Sequence, residues 1–125
     1  MPNQPRFTQV EKFGGVVVLR PEGDLVGGEE TEELEELIAE LNAGGARGLV
    51  LNLKGVDFAS TLGLQAVVGA YIKFSKRGAR VYVCRLCRRV QHLYDVVHLG
   101  ALIPRFDSED EAVTTCATGA ATPSS

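Results

Sequence analysis

Apolar residues in this chain switch repeatedly between two periods, and that switching restricts the fold more than any other feature. Short runs such as Val16-Val17-Val18-Leu19 and Gly48-Leu49-Val50-Leu51-Asn52-Leu53 have the compact apolar form of buried strands. Between them lie segments whose apolar positions recur at i, i+3, i+4 and i+7, the spacing of one helix face. Phe7 to Phe13 and Val16 to Arg20 flank Gly14-Gly15, a pair that readily takes positive φ, so they read as a β-hairpin. Pro21 cannot donate to a ladder and stops the second strand, and Glu22-Gly23-Asp24 supplies turn chemistry beyond it.

Leu34, Leu37, Ile38 and Leu41 predict a helix over Glu29 to Ala43, ended by Gly44-Gly45. Gly48 to Leu53 follows as a central strand. Ser60 or Thr61 can cap the next helix, which carries Leu64, Val67, Val68 and Tyr71 inward and closes at Gly78. Val81 to Cys84 is a further strand. Arg88 to Leu99 is a helix with Val90, Leu93 and Val97 inward and Gly100 just past its end, and Ile103 to Phe106 is a last strand. Ser108 and Glu111 have the spacing of a capping box ahead of a final helix.

The order β-β-α-β-α-β-α-β-α predicts an α/β fold: a mostly parallel central sheet, an N-terminal antiparallel hairpin and flanking helices. Val50, Leu51, Leu53, Leu64, Val67 and Val83 are the expected core. With 125 residues, 45% of them hydrophobic, the chain suits a single domain over residues 1–117. Residues 118–125 are small and polar and are expected to form a disordered tail.

Several function classes are disfavoured. The apolar runs fall far short of the roughly 20 residues that span a bilayer, so no membrane insertion is expected. Met1 to Phe7 lacks the apolar stretch of a secretory signal, which leaves a cytoplasmic location by default. Glu22 to Glu40 holds nine acids and no base, and Lys73 to Arg89 holds seven bases and no acid. The acidic run reads as a solvated helix face beside a favourable dipole end. The basic run has little aromatic interleaving and the net charge is −3, so direct nucleic-acid binding is not expected.

Cys84 and Cys87 have CxxC spacing, but no second pair completes a zinc site, and a thioredoxin-type motif needs its first cysteine at a helix N-terminus. A redox enzyme built on these two thiols is the distant enzymatic alternative. No GxSxG, HExxH or phosphate-binding glycine loop is present, so the chain reads as a non-enzyme with neither cofactor nor metal. The informative stretch is Val56 to Tyr71, where a central strand exits into a loop and the hydroxyl pair Ser60-Thr61 opens a helix. By itself such a pair is a cap for free backbone N–H groups.

This stretch resembles the signature of the bacterial STAS domains of the anti-sigma factor antagonist family, whose members typically read V-x-F-x-D-S-(S/T)-G-L-G-x-L-x-x-x-Y. Glu22-Gly23-Asp24-Leu25 resembles the family's G-x-(L/F)-D loop, and His98 to Ala112 its helix-strand-helix ending. The resemblance covers roughly Phe7 to Ala117. It implies a protein that binds an anti-sigma factor, often a serine/threonine kinase, and is released when a loop hydroxyl is phosphorylated. Placing the Gly-Leu pair on Gly63-Leu64 puts the phosphoacceptor at Thr61, with Ser60 as the alternative, and the partner-binding face on Asp24, Ser60, Thr61, Leu62 and Gly63. Ser60 stands where the family has aspartate, and Leu62 where it has a second hydroxyl. The alternative within the same family is an unphosphorylated STAS scaffold or transport-complex module, in which Ser60-Thr61 is only a cap.

Overall fold

A computed structural model describes residues 8–118 of the chain. Its elements run β1 (Thr8–Phe13), β2 (Val16–Pro21), α1 (Glu29–Ala43), β3 (Gly48–Asn52), α2 (Thr61–Ser75), β4 (Arg80–Cys84) and α3 (Arg88–Val96). A 3₁₀ turn over Leu99–Ala101, β5 (Arg105–Phe106) and α4 (Glu109–Thr118) complete it. The strands form one sheet in the order β1-β2-β3-β4-β5. The β1–β2 pair is antiparallel, from Thr8 opposite Pro21 to Phe13 opposite Val16, and the tight turn between them holds Gly14 and Gly15 at φ +57° and +92°. The remaining pairs are parallel, with Val16 beside Gly48 and Gly48 beside Arg80, and helices serve as the crossovers. The order of elements along the chain, the hairpin and the centrality of β3 are as the apolar periods predict.

Side-chain alternation splits the strands between two cores. Val17, Leu19, Leu49, Leu51, Val81 and Val83 face the layer of α1, α2 and α3. Val16, Val18, Val50, Tyr82, Cys84 and Phe106 face α4, which closes over them with Ala112 and Cys116. A fully buried Leu or Val contributes roughly 1.5–3 kcal/mol, so the larger first layer dominates stability. The expected core residues Val50, Leu51, Leu53, Leu64, Val67 and Val83 are all buried. Ser108 Oγ accepts the Glu111 amide at 3.1 Å and so caps α4, as its spacing predicts.

Two expectations need correction near the end of the chain. The helix expected to run to Leu99 stops at Val96, because His98 takes a left-handed conformation (φ 58°) and the 3₁₀ turn starts behind it. That reversal buries Leu99 and Ile103 and lets the Tyr94 hydroxyl donate to the Ile103 carbonyl. Tyr94 is therefore buried beside Val90, while Leu93 and Val97 are half-buried. The last strand is shorter than expected; Pro104 contributes only its carbonyl, which accepts the Val83 amide at 3.1 Å. Thr118 ends α4, and the rest of the expected tail lies outside the described residues, as do residues 1–7.

Candidate partner-binding and phosphorylation site

The parallel strands all point their carboxyl ends to one edge of the sheet, where α/β folds commonly place their sites. The loops leaving β2 and β3 meet there through backbone hydrogen bonds. Gly23 N donates to Gly55 O at 3.0 Å, Leu25 N to Phe58 O at 3.0 Å, and Ser60 N to Leu25 O at 2.9 Å. Leu25 and Ala59 form an isolated parallel bridge, and both side chains are buried. The Asp24 turn and the Ser60-Thr61 loop are thus one stitched surface rather than two independent loops.

Helix α2 starts on that surface. Ser60 is extended (φ −107°, ψ 172°), and its Oγ accepts the Gly63 amide at 3.2 Å, which satisfies one of the free donors of the first turn. Ser60 is therefore the cap and Thr61, the next residue, is exposed with its hydroxyl uncommitted among the described residues. Gly63 is buried against the neighbouring loop: a Cβ there would lie 1.8 Å from Leu25 O. It spaces the two loops from beneath, whereas Asp24, Thr61 and Leu62 stand above on the surface.

The surface is more apolar than loops usually are. Leu62 is 61% exposed, Phe58 46% and Val26 40%. Leu62 also lies close over Gly27, where a Cβ would come within 3.0 Å of its own. Apolar side chains held in water around a hydroxyl suit contact with another protein surface better than catalysis on a small molecule. A groove of about 610 Å³ adjoins them, with Phe58, Ser60 and Thr61 on one side and Arg88, Arg89 and His92 of α3 on the other.

The CxxC pair has no such exposure. Cys84 is buried in β4, and burial, reinforced by Glu109, pushes its thiol up to about 12, far from the thiolate that redox chemistry uses. Cys87 precedes α3, and its Sγ lies 3.5 Å from the Val56 and Asp57 carbonyl oxygens, to which it donates. No group of three His, Cys, Asp or Glu side chains among the described residues is arranged to hold a metal ion. No described helix is long and apolar enough to cross a membrane.

Five residues were expected at the site: Asp24, Ser60, Thr61, Leu62 and Gly63. The folded chain brings all of them to one edge of the sheet, with Gly63 below the surface. Val26, Phe58 and the α3 wall of the groove were not foreseen. Val26 and Phe58 carried a legible signal, since both are large apolar residues in segments otherwise read as turns.

The chain is a small α/β module with a mixed five-stranded sheet and a stitched, apolar, hydroxyl-bearing surface at the carboxyl edge of its parallel strands. Residues 8–112 match the STAS domain model, and the chain belongs to that family. It is similar to an anti-sigma F factor antagonist of Paenibacillus polymyxa, 26% identical over 106 residues that cover 85% of this chain and 91% of that one. It is also similar to the crystal structure of an anti-sigma factor antagonist from Mycobacterium paratuberculosis, with TM-score 0.77 and 25% identity over 87% of this chain and 92% of that one. The Bacillus cell fate determinant SpoIIAA in its phosphorylated form shares the fold, with TM-score 0.69 and 20% identity over 86% of this chain and 96% of that one.

Proposed function

We propose that this protein is an anti-sigma factor antagonist: it binds an anti-sigma factor, or a serine/threonine kinase acting as one, and phosphorylation of Thr61 ends the complex. The observation that carries the reading is the backbone stitching of Leu25 to Phe58 and Ser60, which holds the Asp24 turn against the loop that carries Leu62 and the Thr61 hydroxyl. The antagonists to which the chain is similar support it, including one solved in a phosphorylated form. The protein turns over no substrate of its own and acts by occupying its partner.

In the modification step the Thr61 hydroxyl oxygen bonds to the γ-phosphorus of a nucleoside triphosphate held by the kinase. The bond to the leaving nucleoside diphosphate breaks, and the hydroxyl proton passes to a base of the kinase. The phosphate adds about −1.5 to −2 charges at neutral pH, at a helix N-terminus that favours negative charge. Folding therefore survives. A partner surface fitted to a neutral hydroxyl and to Leu62 must desolvate that charge, at a cost of several kcal/mol, so binding fails.

Intact mass after incubation with candidate kinases tests the acceptor, with a single phosphate on the parent and none on Thr61→Ala expected. Calorimetric titration of the isolated partner tests the switch. Thr61→Ala should bind, Thr61→Glu should not, and Asp24→Ala and Leu62→Ala should each weaken association while stability stays within about 0.5 kcal/mol. A Thr61→Glu protein that binds as tightly as Thr61→Ala would favour a phosphate-independent scaffold instead.

A further inference from the structure

We infer that a phosphate on Thr61 is received within the same chain by Arg88 and Arg89 of α3. This rests on the reading of Thr61 as the modified hydroxyl and adds where the phosphate goes. Thr61 borders the groove of about 610 Å³ whose opposite wall carries Arg88, Arg89 and His92, and no carboxylate lines it among the described residues. Three other arginines are engaged, and Arg85, exposed just past β4, lines a separate cleft with Lys54. Arg20 pairs with Glu109 at 2.7 Å and Arg105 with Asp95 at 3.1 Å, while Arg77 bonds Asn42 at 2.7 Å and the Ala46 carbonyl at 2.8 Å.

Arg88 and Arg89 are exposed and have neither an ion pair nor a hydrogen-bonded side-chain partner among the described residues. Asp95, about two turns beyond Arg88 on α3, borders a neighbouring hollow with Arg88 and His92, but its Oδ1 accepts from Arg105. Among the described residues, two guanidiniums without counter-ions thus border the same groove as a hydroxyl with no partner of its own. A planar guanidinium matches phosphate oxygens in a bidentate fork, and a phosphate opposite an arginine cluster gains charge-assisted hydrogen bonds. The modified side chain therefore lies across the groove against α3, where it neutralises the arginine wall, rather than projecting into solvent.

The test is a ³¹P NMR titration of the full chain carrying phosphothreonine installed at position 61 during translation, so that the result does not depend on any cellular kinase. In the parent, the second ionisation of the phosphate should fall about half a pH unit or more below its value in the Arg88→Gln, Arg89→Gln double variant at low salt. The gap should close in 1 M salt, where screening shortens to roughly 3 Å. Arg88→Lys with Arg89→Lys should keep most of the lowering, and Lys54→Gln, in a separate cleft, should keep all of it. Thermal melts of the variants should superimpose, since the substituted side chains are exposed. Parent and double variant titrating together, or Lys54→Gln erasing the gap equally, would overturn the inference. Failure of the functional reading would instead appear as the absence of a mass gain with kinases.

Discussion

Ser60 and Leu25 are joined directly, the Ser60 amide donating to the Leu25 carbonyl oxygen at 2.9 Å, and the start of α2 is set by that bond. The same oxygen leaves no room at Gly63, where an added Cβ would sit 1.8 Å away. Everything proposed for the site depends on this closeness, because it holds the Asp24 turn against the Thr61 loop.

Glycine substitution in α2 should therefore change sign with position. Helix propensity alone favours Gly→Ala by roughly 0.5–1 kcal/mol. At Gly69 the new Cβ would meet only Lys73 Nζ at 3.9 Å, so Gly69→Ala should gain about that amount. At Gly63 the clash is with backbone that cannot swing away, and Gly63→Ala should lose about 1–3 kcal/mol despite the better propensity. Urea melts of both variants decide the matter, and a stabilised Gly63→Ala would mean that the two loops are not stitched as described.

The two adjacent hydroxyls should separate just as sharply. Ser60 Oγ accepts the Gly63 amide, so Ser60→Ala removes a cap and should cost about 1 kcal/mol. Thr61 is exposed and caps nothing, so Thr61→Ala should stay within about 0.5 kcal/mol of the parent. Equal losses in thermal melts would show that the division into a structural serine and a free threonine is wrong.

Legibility in the sequence followed the range of the interactions. Helix α1 runs from Glu29 to Ala43 as its apolar period and Gly44-Gly45 indicate, because both signals are local. The end of α3 was misread because a histidine, not a glycine, takes the left-handed position, and what holds it there is tertiary burial of Leu99 and Ile103. At the site, Ser60 as a cap follows from its own few neighbours. The pairing of the Asp24 turn with the Thr61 loop does not, since one isolated bridge between Leu25 and Ala59 leaves no period to detect, and family resemblance alone suggested it. Nothing in the sequence assigned Arg88 and Arg89 to the site, because the groove they border exists only once α3 packs beside the α2 start.

On the opposite face of the sheet, a carboxylate makes stability depend on pH. Glu109, in the first turn of α4, accepts Arg20 Nε and Nη2 at 2.8 and 2.7 Å and Asn52 Nδ2 at 2.8 Å, which ties α4 to the ends of β2 and β3. The Arg20 hydrogen bonds hold its carboxyl below the ordinary glutamate value of 4.5; the Asn52 bond and the charges of Arg20 and Arg85 act in the same direction, and partial burial opposes them. A pKa lowered by folding contributes stability that is present above the unfolded value and is lost as pH falls through the folded one. The loss should therefore begin below about pH 4.5 and deepen on further acidification. Glu109→Gln keeps the shape of the side chain and removes the charge. It should cost about 1–2 kcal/mol at pH 7, between the worth of an exposed ion pair and that of a charged hydrogen bond. Other carboxylates titrate in the same window, so the informative quantity is the stability difference between parent and variant, which should shrink as pH drops from 5 toward 3 in urea melts. A difference that stays constant over that range would show that the Arg20–Glu109–Asn52 cluster contributes nothing through its charge.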